Sequence, residues 1–184
     1  MKTLREMMEL CEYSSIVWPS DLINDLISWQ EYADHYDIWD NNRHGWQEKL
    51  INFMKNNPHK TEGILYRTTV ISDYAANKLR NKKPATLKKS KSLLESWSKT
   101  LDGANQYFQQ REFRSYAIMA FPASQLEIVC DIDQVPFPNN IYKEDGEVLV
   151  RAKDRILNWS NITDLLVSNY GTSKEEEYIR IRGA

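Results

Sequence analysis

The chain has 184 residues, 41% of them hydrophobic and 27% charged, with a formal net charge of -2. That is about one domain in length and globular in composition, which excludes a disordered or fibrous chain. No apolar run approaches the roughly 18 residues of a membrane helix, and the small net charge gives no whole-protein pull towards nucleic acid or membrane.

Residues 1–60 read as helical. Leu4, Met7, Met8 and Cys11 recur at three- and four-residue spacing. The charges among them break the apolar core that a secretory signal needs, and the acids argue against a transit peptide. Cys11 and Cys130 do not form a secreted disulfide framework, so a cytoplasmic protein with reduced thiols is expected. Ser20, after Pro19, is the expected cap of a second helix striped by Leu22, Ile23, Leu26 and Ile27. Trp46, Leu50, Phe53 and Met54 stripe a third, ending near Asn56-Asn57-Pro58. Trp18, Trp29, Tyr32, Tyr36, Trp39 and Trp46 read as core aromatics, because large rings gain most from burial.

From residue 62 the texture turns to short β-rich runs. Gly63–Val70 reads as a strand, and Ser72 caps a helix to Arg80. The stretch Lys78–Lys91 holds seven Lys or Arg and no acid. Leu93–Ser98 reads as a strand entering a helix over 101–110, with Thr100 at its cap. Phe113–Phe121 and Leu126–Ile132 read as strands split by Pro122, and Pro136 and Pro138 mark a loop. Glu147–Arg151, Leu165–Ser168 and Glu177–Arg182 are further strands. Helices first and strands after predict an α+β architecture.

The six glycines are scattered, so a G-x-G-x-x-G turn and a Walker A loop are both excluded. His35, His44 and His59 form no zinc-binding spacing, and no metal is expected. No G-x-S-x-G nucleophile elbow is present.

Three small features stand in order: Tyr66-Arg67 on a strand, Ser96-Trp97-Ser98 before a helix with Ala104 and Phe108, and Asp145-Gly146-Glu147 opening an apolar strand. Singly, each has an ordinary structural reading as a salt bridge, a turn or a hairpin tip. Together they resemble the mono-ADP-ribosyltransferase family of the arginine–serine–glutamate type, over about residues 62–151, and most of all its small tailed-bacteriophage enzymes. The segment from Arg114 to Pro122 fits the strand that follows the helix in that family.

Residues 1–60 carry no such resemblance and are expected as helices packed on the rest, residues 61–184, for which the resemblance implies a two-sheet β core with an NAD cleft. It implies NAD as substrate, nicotinamide as leaving group and a protein acceptor, with host transcription or translation machinery as the expected partner. Glu147 takes the catalytic place, since a fixed carboxylate stabilises an oxocarbenium-like ribose. Ser96 would orient Glu147 and the nicotinamide ribose. Arg67 would bind the pyrophosphate, which suits a guanidinium fork. Tyr66 and Trp97 would line the pocket. Arginine-specific members usually carry glutamate where this chain has Asp145, one methylene shorter, which leaves other acceptors open. NAD hydrolysis without an acceptor is one alternative. The other is a non-catalytic binding protein using segment 78–91, a solvated face or a docking surface for an acidic partner or nucleic acid. In the resembled fold that segment lies near the NAD cleft.

Overall fold

The computed structural model describes residues 16–32, 43–108, 115–140, 146–167 and 177–180. The expected stripe at Leu4–Cys11, together with Tyr36, Trp39, Phe113, Arg114 and Asp145, lies outside the described residues.

Helix α1, Ser20–Tyr32, buries Leu22 and Leu26, one turn apart. Ser20 is its first residue rather than its cap. The carbonyl that accepts the first helical bond, from Ile23 N at 3.2 Å, belongs to Pro19. Helix α2, Arg43–Asn56, buries Trp46, Leu50 and Met54 at four-residue spacing and stops where Asn57-Pro58 cannot continue it. Trp29 and Trp46 tie the two helices with ring centroids 5.5 Å apart.

The strands are β1 (Ile64–Val70), β2 (Ala85–Leu87), β3 (Leu94–Ser98), β4 (Tyr116–Pro122), β5 (Ile128–Asp131), β6 (Glu147–Arg151), β7 (Arg155–Leu157), β8 (Ile162–Val167) and β9 (Glu177–Arg180). Two further helices are α3 (Asp73–Arg80) and α4 (Leu101–Phe108). Seven strands make one antiparallel sheet in the order β5-β6-β3-β1-β4-β8-β9, and β2 pairs with β7 in a short ribbon. The architecture is therefore α+β, as the order of elements predicts. The sheets are two, as expected, but unequal, one long sheet and a short ribbon. The reason is local: β1 and β3 share one register pair, Tyr66↔Ser98, which joins two well-laddered halves.

Side chains alternate between the two faces. Leu94 and Leu149 face α1 and α2, in a core with Leu26, Leu50, Cys130 and Ile132. Trp97, Val148, Val150 and Leu65 face the other way, against α3 and the ribbon through Leu79, Ala85 and Leu157. β4 is buried on both faces, which explains its unbroken apolar run. Ser72 caps α3, as expected, by accepting from Ala75 N at 3.2 Å. The ribbon escapes sequence reading because three-residue strands are too short to show a period-two pattern. Among the described residues no helix is long and apolar enough to cross a membrane.

One ion pair is buried among these layers. Arg155 Nη1 donates to Glu95 Oε2 at 2.5 Å, with side chains 10% and 5% exposed, and the guanidinium also lies 5.2 Å from the Trp97 ring centroid. Breaking such a pair strands a buried charge, whereas replacing both partners with apolar groups does not. Arg155→Met should cost about 3–5 kcal/mol in urea unfolding, and Glu95→Leu added to it should restore part of the loss.

Candidate active site

The register gathers Tyr66, Ser96 and Glu147 on one face at the joint between the half-sheets. Opposite residues of an antiparallel pair share a face. Tyr66 on β1 stands across from Ser98 on β3, and Ser98 across from Glu147 on β6. Tyr66, Ser98 and Glu147 thus form one row spanning about 10 Å, two strand spacings. Ser96 lies two residues from Ser98, on the same face, opposite Leu149. Tyr66, Ser96, Ser98 and Glu147 are all partly exposed.

Local chemistry fixes each end of this row. Gly146 has φ +63°, a conformation glycine adopts without strain, so β6 begins sharply at Glu147. The Gly146 carbonyl accepts from Lys99 N at 2.7 Å and extends the ladder past Ser98. The Ser98 hydroxyl accepts from Thr100 N at 3.1 Å, and Thr100, the expected cap, accepts from Gly103 N at 3.1 Å to start α4. A Cβ at Gly103 would stand 2.3 Å from Ser98 Oγ, so any side chain there forces the Ser98 hydroxyl to move.

Arg67 sits where β1 and β3 part and, next to Tyr66 and opposite Met119, alternates to the Trp97 face of the sheet. Beyond Tyr66↔Ser98 the ladder stops, and Arg67 Nη1 donates to the Ser96 carbonyl. The arginine thereby holds the serine strand across the gap. Glu147 receives both its oxygens' donors from α1. Trp29 Nε1 donates to Oε1 at 3.2 Å, and the Gln30 amide donates to Oε2.

Trp97 departs from its expected place. It is 1% exposed, on the opposite face, edge-on to Phe121 at 6.0 Å between centroids. Period-two alternation between Ser96 and Ser98 sends it into the core, away from any cofactor on the row. The basic segment is also displaced from expectation. It forms the end of α3 and β2, on the face opposite Glu147. There Lys88 pairs with Asp154 at 2.8 Å, and Lys78 and Lys82 lie over the rings of Tyr74 and Trp159. A concavity lined by Ser72, Ala75, Thr86 and Lys88 belongs to that side too, apart from the row.

A polar cluster backs the row at Lys99. Its ammonium reaches Asp131 and Asp133, each at 2.7 Å. Burial opposes its charge, but the two carboxylates outweigh burial and raise its pKa. Asp131, 2% exposed, also accepts from the Thr61 hydroxyl at 3.0 Å, and its backbone N–H donates to His59 Nδ1 at 3.0 Å. Burial lowers the His59 pKa against the pull of Asp131. Burial, and then the charges of Asp131 and Glu147, push the Cys130 thiol well up. Among the described residues no group of three His, Cys, Asp or Glu is placed to hold a metal ion.

Sequence reasoning missed Trp29 and Gln30, because nothing in a helix marks a residue that reaches a distant strand. It also gave the site role to Ser96 and none to Ser98. Both serines share a face, and only the register reveals which stands opposite Glu147. No protein-family description, curated protein or solved structure matches this chain.

Gly103→Ala should displace the Ser98 hydroxyl and destabilise the fold by about 1–3 kcal/mol, read from denaturant midpoints. His59 supplies a pH signature. In the unfolded chain its ring titrates near 6.5, whereas the folded ring resists the proton. Stability is then full above that value and falls as the pH drops below it. The urea midpoint should fall between about pH 7.5 and about pH 5.5, and His59→Gln should flatten that slope.

Proposed function

We propose that this chain is an NAD-dependent mono-ADP-ribosyltransferase, with residues 61–184 as a catalytic core of that family's type. One observation carries the reading. The serine and glutamate picked out by sequence share one face of the sheet, and the arginine bonds the backbone carbonyl of that serine at the joint.

In this reading NAD lies over the row formed by Tyr66, Ser98 and Glu147. The bond between nicotinamide and ribose C1′ breaks, and nicotinamide departs with the electron pair. Positive charge develops on the ribose, as in glycoside cleavage. The Glu147 carboxylate stabilises that charge and accepts a ribose hydroxyl. Ser96 and Ser98 offer hydroxyls to the same sugar. Arg67 reaches the gap from the other face, where it bonds the Ser96 carbonyl, and its remaining N–H groups would meet the pyrophosphate there. A nucleophile of the acceptor, most simply an arginine guanidinium of a protein, then bonds to C1′ and gives up a proton. Water in its place yields free ADP-ribose.

Incubation with labelled NAD and a bacterial lysate should transfer label to protein and release nicotinamide. Glu147→Gln should cut both by about 10²–10³-fold with the fold intact. No transfer and no nicotinamide release from the wild-type chain would overturn the reading, and free ADP-ribose without adducts would replace it with NAD hydrolysis.

A further inference from the structure

The helical segment ahead of residue 60 reaches the row through α1. We infer that Trp29 and Gln30 are positioning residues for Glu147, an inference that rests on the transferase reading above. Their two donors come from adjacent positions on one helix and engage separate oxygens of one carboxylate. A carboxylate offers about four acceptor sites, so two donors fix its plane while leaving two for a ribose hydroxyl and the developing charge. The helix itself is held firmly. Leu22 and Leu26 are buried beneath it, and the Trp29 ring packs on Trp46.

Without α1 the Glu147 side chain would have its rotamers to choose among at the very start of a strand. Holding a catalytic group in one geometry is worth orders of magnitude in rate, and a displacement of about 1 Å can cost 10²-fold. The N-terminal helices are thus part of the site. The helical part and the β core act as one unit because the carboxylate stands on β6 and its donors stand on α1.

The test compares three variants by NAD turnover and thermal melting. Trp29→Phe removes the N–H together with part of the indole and keeps an aromatic ring against Trp46. Gln30→Ala removes the amide at a partly exposed helical position, where alanine is well tolerated. Gln30→Glu keeps the shape and sets a like charge against Glu147. We expect melting temperatures near wild type for Trp29→Phe and Gln30→Ala. We expect kcat to fall roughly 10-fold for each, with the KM for NAD moving little, since an orienting interaction acts on the reactive geometry. Gln30→Glu should fall further, by about 100-fold. In a Glu147→Gln background, Gln30→Ala should have no additional effect on residual turnover, because the group it orients is gone. An active wild type with Trp29→Phe and Gln30→Ala equally active overturns this inference alone. A rise in activity on removing either donor also overturns it and makes α1 a restraint. A wild type inert towards NAD overturns the inference together with the transferase reading.

Discussion

β1 and β3 touch at a single register pair, Tyr66↔Ser98, and the site depends on that meagre joint. Away from it the two half-sheets are well laddered: β1 with β4 over seven pairs and β3 with β6 over five. A continuous ladder would pair the Ser96 carbonyl with β1 backbone. Because the strands part, that carbonyl needs another donor, and Arg67 supplies it. A buried carbonyl left unpaired costs free energy, so the gap and the arginine belong together.

Each half-sheet is then secured from outside the row. On one face α1 and α2 bury Leu26, Leu50 and Met54 against β3, β5 and β6. On the other, α3 and the β2–β7 ribbon cover Trp97, Val148 and Val150. Polar groups sit where the layers meet. Lys99 joins the end of β3 to the turn after β5 through Asp131 and Asp133. Arg155 joins the ribbon to β3 through Glu95. Both pairs grip residues flanking the Ser96–Ser98 segment, so the serines are held at their two ends. Near-neutral net charge conceals this organisation, because the basic segment is spent on its own face, partly against Asp154 and two aromatic rings.

Much of this was legible in the residues themselves. The stripes of Leu22–Ile27 and Trp46–Met54, the cap at Ser72 and the strand Glu147–Arg151 follow from local pattern and hydrogen-bonding chemistry. The place of Trp97 was also implicit in alternation, since Ser96 and Ser98 on one face send the residue between them to the other. Register is different. It is set by packing between distant strands, and a shift of one residue moves every side chain to the opposite face. That is why Ser98, rather than Ser96, stands across from Glu147 without any sign of it in the sequence. Contacts between remote elements are equally silent, and 118 residues separate Trp29 from the carboxylate it touches. The ribbon was hidden because β2 and β7 are too short for their pattern to speak.

The proposed transferase activity requires that the joint between the half-sheets bind NAD. Titrating NAD into isotope-labelled Glu147→Gln protein, a variant chosen to suppress turnover, tests this residue by residue. Amide resonances of Tyr66, Arg67, Ser96–Lys99, Gly146 and residue 147 should shift in a saturable way, along with Trp29 and Gln30, while those of Lys78–Lys91 stay put. Saturable shifts confined to the α3–β2 face, or none anywhere, would contradict it.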